Sequence, residues 1–137
     1  MDEHERMPEV LAMILCDQVI RDVGTGKVTV VGSFSSVTAD AFPTYHPHMA
    51  VYVALTDGEG DYTGRLRFVH AETEEELMHT DGAFALSDPL QVAELQFNIP
   101  ALPLPHAGKY RMDFFCDGQL LKSRWFQARQ APESDAS

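Results

Sequence analysis

The sequence predicts an all-β fold, a two-layer antiparallel sandwich of seven or eight strands with a Greek-key element. Three observations carry that prediction. No long segment holds an apolar period near 3.6, several short runs alternate apolar and polar residues, and turn-forming residues recur between those runs at short intervals. At 137 residues the chain fits one domain, long enough to bury a core without disulfides or metal. The domain is expected over 10–129, between a flexible tail at 1–9 and a disordered one at 130–137, both polar.

Taken in order, "VLAMILCDQVI" is a continuous apolar run whose β-branched residues, and the hairpin that follows, favour a strand. Val23-Gly24-Thr25-Gly26 then reverses the chain. "GTGK" invites comparison with a phosphate loop, which needs a glycine five residues earlier and a hydroxyl after the lysine. Arg21 and Val28 occupy those places, so the stretch is a turn. In "HMAVYVAL", Met49, Val51, Val53 and Leu55 share one face and Ala50, Tyr52 and Ala54 the other, as in a central strand covered on both sides. "DYTGRLRFVH" sets Tyr62, Leu66 and Phe68 inward against Arg65 and Arg67 outward. "AETEEE" reads as a solvated turn and "EELMHT" as a short edge strand. "QVAELQFNI" alternates most cleanly, with Ala93, Leu95, Phe97 and Ile99 together. "ALPLPHAG" is a loop. "KYRMDFFCDGQLLKSRWFQA" is a hairpin turning at Asp117-Gly118, with Trp125 and Phe126 anchoring its second strand and either one able to face inward. The expected core is Val30, Val51, Val53, Leu55, Leu66, Phe68, Leu95, Phe97, Tyr110, Met112 and Phe114.

Charge narrows the function. Twenty-one acidic residues against 10 Lys and Arg give a net charge of −11. No basic run exists to neutralise phosphates, so nucleic acid and anionic membrane surfaces are not expected partners. The first residues lack a basic leader, and the apolar run from Val10 to Leu15 is too short for a signal core or a membrane span. Cys16 and Cys116 fit no zinc or redox spacing and read as reduced, buried thiols in a cytoplasmic protein.

Two candidate metal sites follow from ligand chemistry. Asp57, Glu59 and Asp61 alternate in "TDGEGDY", as calcium loops do, although Phe68 stands where an EF-hand would place its last carboxylate. Alternating strands would gather Asp22, Asp57–Asp61, the stretch 81–88 and Asp117 at one end as an acidic patch. His46 and His48 in "YHPH", with His106 in "LPHAG", could converge on a transition metal at the opposite end. His70 and His79 fall in strands and His4 in the tail. No G-x-S-x-G elbow or paired base accompanies Ser33, Ser35 or Ser36, so no catalytic residues and no cofactor are expected.

The spaced segments "CDQVIRDVGTGKVTVVGSF", "FPTYHPHMAVYVALTDGEGDY" and "GKYRMDFFCDGQLL" resemble, in that order, a family of small uncharacterised bacterial β-sandwich domains. The last hairpin also resembles the closing strands of immunoglobulin-like sandwiches, without the Cys…Trp…Cys core of antibody domains. The resemblance implies a fold and transfers no catalytic residue. The expected function is a non-enzymatic binding or scaffolding module working through protein contacts, with two alternatives: a cation-dependent binding module using Asp57, Glu59, Asp61 and Asp117, or a metalloenzyme using His46, His48 and His106. An edge strand could also pair two copies of the chain.

Overall fold

A computed structural model describes residues 6–132. Its nine strands are β1 (Glu9–Arg21), β2 (Val28–Ser33), β3 (Ser36–Ala39), β4 (Thr44–Thr56), β5 (Gly60–His70), β6 (Glu76–Leu86), β7 (Ala93–Leu104), β8 (Gly108–Cys116) and β9 (Gln119–Gln130). They form a two-layer sandwich of a four-stranded sheet, β2-β1-β4-β7, and a five-stranded sheet, β3-β9-β8-β5-β6. All pairs are antiparallel except β3 with β9, which run parallel over four residues. That short strand is the element the sequence did not announce. Residues 1–5 and 133–137, which hold most of both expected tails and His4, lie outside the described residues. Arg6 to Pro8 are tied to the domain: Arg6 O accepts the Tyr62 hydroxyl at 2.9 Å, and Pro8 is buried.

Alternation along the strands supplies the core between the sheets. Met49, Val51, Val53 and Leu55 of β4 meet Leu66 and Phe68 of β5 and Tyr110, Met112 and Phe114 of β8, all fully buried. Phe68 stacks on Tyr110 at 5.1 Å and meets Phe126 edge-on at 6.0 Å. Phe126 therefore points inward, and Trp125 faces solvent, 60% exposed. Leu95 is half-buried against the core. The strand expected to be short, "EELMHT", is an edge strand but runs on through Asp81-Gly82 to Leu86.

Val30 belongs elsewhere, and the reason lies in β1. That strand pairs with β4 up to Cys16 and with β2 from Cys16 onward, so the two halves serve different neighbours. Gly32, opposite the change, has φ +69°, and a methyl group there would run into the Asp17 carboxylate. Only glycine fits both constraints. Beyond this bend the β1–β2 hairpin lies over the outer face of β4 and β7. Val19, Val28 and Val30 cover Cys16, Ala50 and Tyr52 in a second apolar cluster. Arg21 reaches Glu94 of β7 at 3.5 Å, and the Tyr52 hydroxyl donates to the same carboxylate. β4 is thus covered on both faces. The hairpin tip is closed by Asp22, whose carboxylate accepts the Thr25 amide at 2.7 Å, with Gly26 at φ +74°.

Candidate interaction surface

Among the described residues, the outer face of the five-stranded sheet has no such cover. Alternation sends Arg65 and Arg67 outward from β5, Arg111, Asp113 and Phe115 from β8, and Ser123 and Trp125 from β9. Cross-strand pairing then sets Arg67 beside Asp113, Asp113 beside Ser123 and Arg111 beside Trp125.

Asp113 is the centre of this face, 1% exposed although it belongs to the outer side. Its carboxylate accepts Arg111 Nε and Nη2 at 2.7 and 3.0 Å and the Ser123 hydroxyl at 2.6 Å. Burial disfavours its charge, but the hydrogen bonds from Arg111 and Ser123, with the charges of Arg111 and Arg67, outweigh burial and hold its pKa below the usual carboxylate value. Arg111 also grips Glu74 through two bonds of 2.8 and 2.7 Å, which lowers the Glu74 pKa in turn. On the neighbouring strands Arg65 holds Asp81 at 2.7 and 3.2 Å, and His79 meets Glu76 at 2.7 Å.

Arg67 is held more loosely. Its guanidinium lies 3.6 Å from Asp113 and 3.9 Å from Glu76, stands over the Phe115 ring at 5.4 Å, and its buried Nε has no hydrogen-bond partner among the described residues. It borders an open depression of about 360 Å3 with Thr63, Arg65, Asp81, Phe115 and Asp117. A second depression, about 370 Å3, lies between Ser35, Lys109, Trp125, Phe126 and Gln127. The surface is therefore ordered and cross-bonded, with one large aromatic standing free of it.

The residues singled out from sequence distribute differently. Asp57 pairs with Arg6 at 3.1 Å, and its amide donates to Pro89 O, so the loops at 57–59 and 87–92 do meet. Asp117 accepts the Thr63 amide at 2.9 Å and borders the larger sheet's depression. Asp61 opens β5 opposite Ala85, and the Glu59 amide donates to the Tyr62 hydroxyl. Asp81 does not join an acidic end, since it sits within β6 bonded to Arg65, and Asp22 caps the folded-back hairpin. His46 turns in, edge-on to Phe34 at 5.5 Å, and burial lowers its pKa. His48, at φ +21°, instead borders a depression with Gln18, Gln96 and Asn98 on the other face. His106 meets His70 at 5.9 Å, a pairing the sequence did not suggest. Among the described residues no group of three or more His, Cys, Asp or Glu side chains could hold a metal ion. Cys16 and Cys116 are free and sit in separate apolar clusters; burial, then the Asp117 charge, pushes the Cys116 thiol up to about 12.

Residues 11–129 match the model of a family of unknown function, DUF6941. The chain belongs to that family. No curated protein matches this DUF6941 member by sequence. Among solved structures it is similar to the C-terminal domain of wzt, at 12% identity and TM-score 0.52, over 99% of this chain and 84% of that one. It is also similar to a β-glucosidase from Listeria innocua, crystallised with isofagomine, at 7% identity and TM-score 0.56 over 97% of this chain. The DUF6941 chain spans 17% of that enzyme's length. An immunoglobulin-like protein from Pseudomonas aeruginosa aligns over 90% of this chain and 97% of its own, at 11% identity and TM-score 0.39. At such identities the likeness is one of fold, and a sandwich of this kind hosts many unrelated activities.

Proposed function

We propose that this DUF6941 domain is a non-enzymatic binding or scaffolding module whose protein contacts are made on the outer face of the five-stranded sheet. The observation that carries the reading is Trp125, 60% exposed beside Arg111 on a face whose charged side chains are already bonded to one another. Tryptophan and arginine supply a large share of interface energy. Side chains fixed beforehand lose little freedom when a partner arrives. The reading places the protein in the cytoplasm, where both buried thiols stay reduced.

A photo-crosslinking residue tests it when placed at Arg65, Leu120 or Trp125, with Asn98 on the other sheet as control. Discrete protein adducts from the first three positions in native cells, absent from Asn98, are expected. Equal labelling from all four positions, or none from any, would refute the reading.

A further inference from the structure

We propose that the uncovered edge of β9, from Gln119 to Phe126, accepts an extended acidic segment of a partner protein as an added strand. The inference rests on the binding-module reading and names its site and ligand chemistry.

The edge is open because β3 is short. β8 pairs with β9 along nearly its whole length, but β3 covers only Gln127–Gln130 on the other side. Among the described residues no strand pairs with Gln119–Phe126 there. Gln127 N donates to Ser35 O and Ala131 N to Ala39 O, so alternate residues present their backbone groups to the β3 side. Counting back by two places the Trp125 and Ser123 backbone groups on the same line, beyond the point where β3 begins. Such a row of backbone donors and acceptors is what β-augmentation uses.

Side chains along the edge add a socket. Leu120 is 50% and Trp125 60% exposed, and the depression of about 370 Å3 beside Trp125 ends at Ser35, where the chain turns in to begin β3. An incoming strand continuing the line of β3 would lay an apolar side chain against the indole.

Charge selects the occupant. β9 carries Lys122, Arg124 and Arg129 and no acidic residue; of the nine strands it alone has lysine or arginine without an acidic residue, in a chain of net charge −11. Lys109 of β8 borders the same depression. Charged residues on an edge also discourage indiscriminate pairing, and here that device repels basic strands while attracting acidic ones. A second copy of this chain, paired through the same edge, would bring these cations against their own equivalents. Arg124 further closes the seam between the sheets by donating to Met13 O of β1, which leaves the strand edge itself as the place for pairing.

Trp125 is the chain's single tryptophan, so its emission reports on the site. A short peptide of alternating glutamate and valine, titrated into the full chain, should shift that emission to the blue. It should also slow amide exchange at Ser123 and Trp125. A peptide of alternating lysine and valine should bind about tenfold more weakly or not at all. Raising salt from ~0.05 to ~0.5 M should weaken the acidic peptide. Lys122→Glu, with an unchanged melting temperature, should cost about tenfold in affinity. Unchanged emission and exchange at millimolar acidic peptide would overturn the inference. So would equal binding of both peptides, protection confined to β6, or self-association through β9. Adducts from Arg65 without any from Leu120 would remove the edge yet leave the binding-module reading standing; no adduct from any position would remove both.

Discussion

The two outer faces of this sandwich meet water in opposite ways. The four-stranded sheet carries Cys16, Ala50 and Tyr52 outward and is roofed by the chain's own β1–β2 hairpin. The five-stranded sheet carries Arg67, Arg111 and Asp113 outward, and its charged groups are bonded laterally to one another. The apolar face hides itself, and the polar face is left clear. The contrast separates a face that the chain covers with its own hairpin from one that, among the described residues, stays open.

The largest expected effect lies on the open face. Asp113→Ala should cost about 3 kcal/mol in urea unfolding, because it removes the buried carboxylate that accepts from Arg111 and Ser123 and lies beside Arg67, leaving Arg111 to Glu74 alone. A cost near zero would make the network surface decoration and dissolve the contrast. Next comes the roof. Gly32→Ala should cost about 1–3 kcal/mol, from the positive φ and the crowded Asp17. It should also raise the reactivity of Cys16 toward thiol reagents while Cys116 stays inert.

Acid should separate the faces further. The pKa of Asp113 is held low in the folded state, against about 3.9 for an unfolded aspartate. The stabilisation is then complete above the unfolded value and drains away as pH falls through the folded one. Urea midpoints measured from neutral pH into that range should decline, and Asp113→Asn should flatten the decline. Arg65→Ala, which removes an exposed pair with Asp81, should leave the midpoint almost unmoved. Trp125→Ala should likewise spare stability while abolishing the crosslinks described above.

How far the sequence alone reveals this molecule depends on residue spacing. β5 and β8, the second half of β4 and β7 as far as Ile99 are legible because their apolar residues alternate and one face is buried, whereas Ala101–Leu104 read as a loop on their prolines yet continue β7 against Thr44–Pro47. β3 is not, since four residues give no period to read. Asp81-Gly82 resembles a turn, yet β6 passes straight through it. The glycine is there because the Phe97 ring lies 3.2 Å from where its Cβ would stand. Val30 alternates correctly within its hairpin, but the bend at Gly32 carries the hairpin to the outside. A lone glycine in "VVGSF" does not announce that. His46 and His48 fail to share a face because the positive φ at His48 breaks the period of two. The outward positions of Arg67 and Asp113 follow from alternation. Their contact, which makes the face, depends on β5 pairing with β8, 40 or more residues later in the chain, and spacing within a strand cannot supply that pairing.

The roof meets the sandwich at the Cys16–Ser33 pair, where β1 leaves the core and β2 returns to it through Phe34. Opening of the hairpin from Val19 to Val30 uncovers Cys16, Ala50 and Tyr52 and parts Arg21 from Glu94, while the β4–β7 and β5–β8 ladders stay closed. The protein can therefore breathe at one end of β1 without melting at the other.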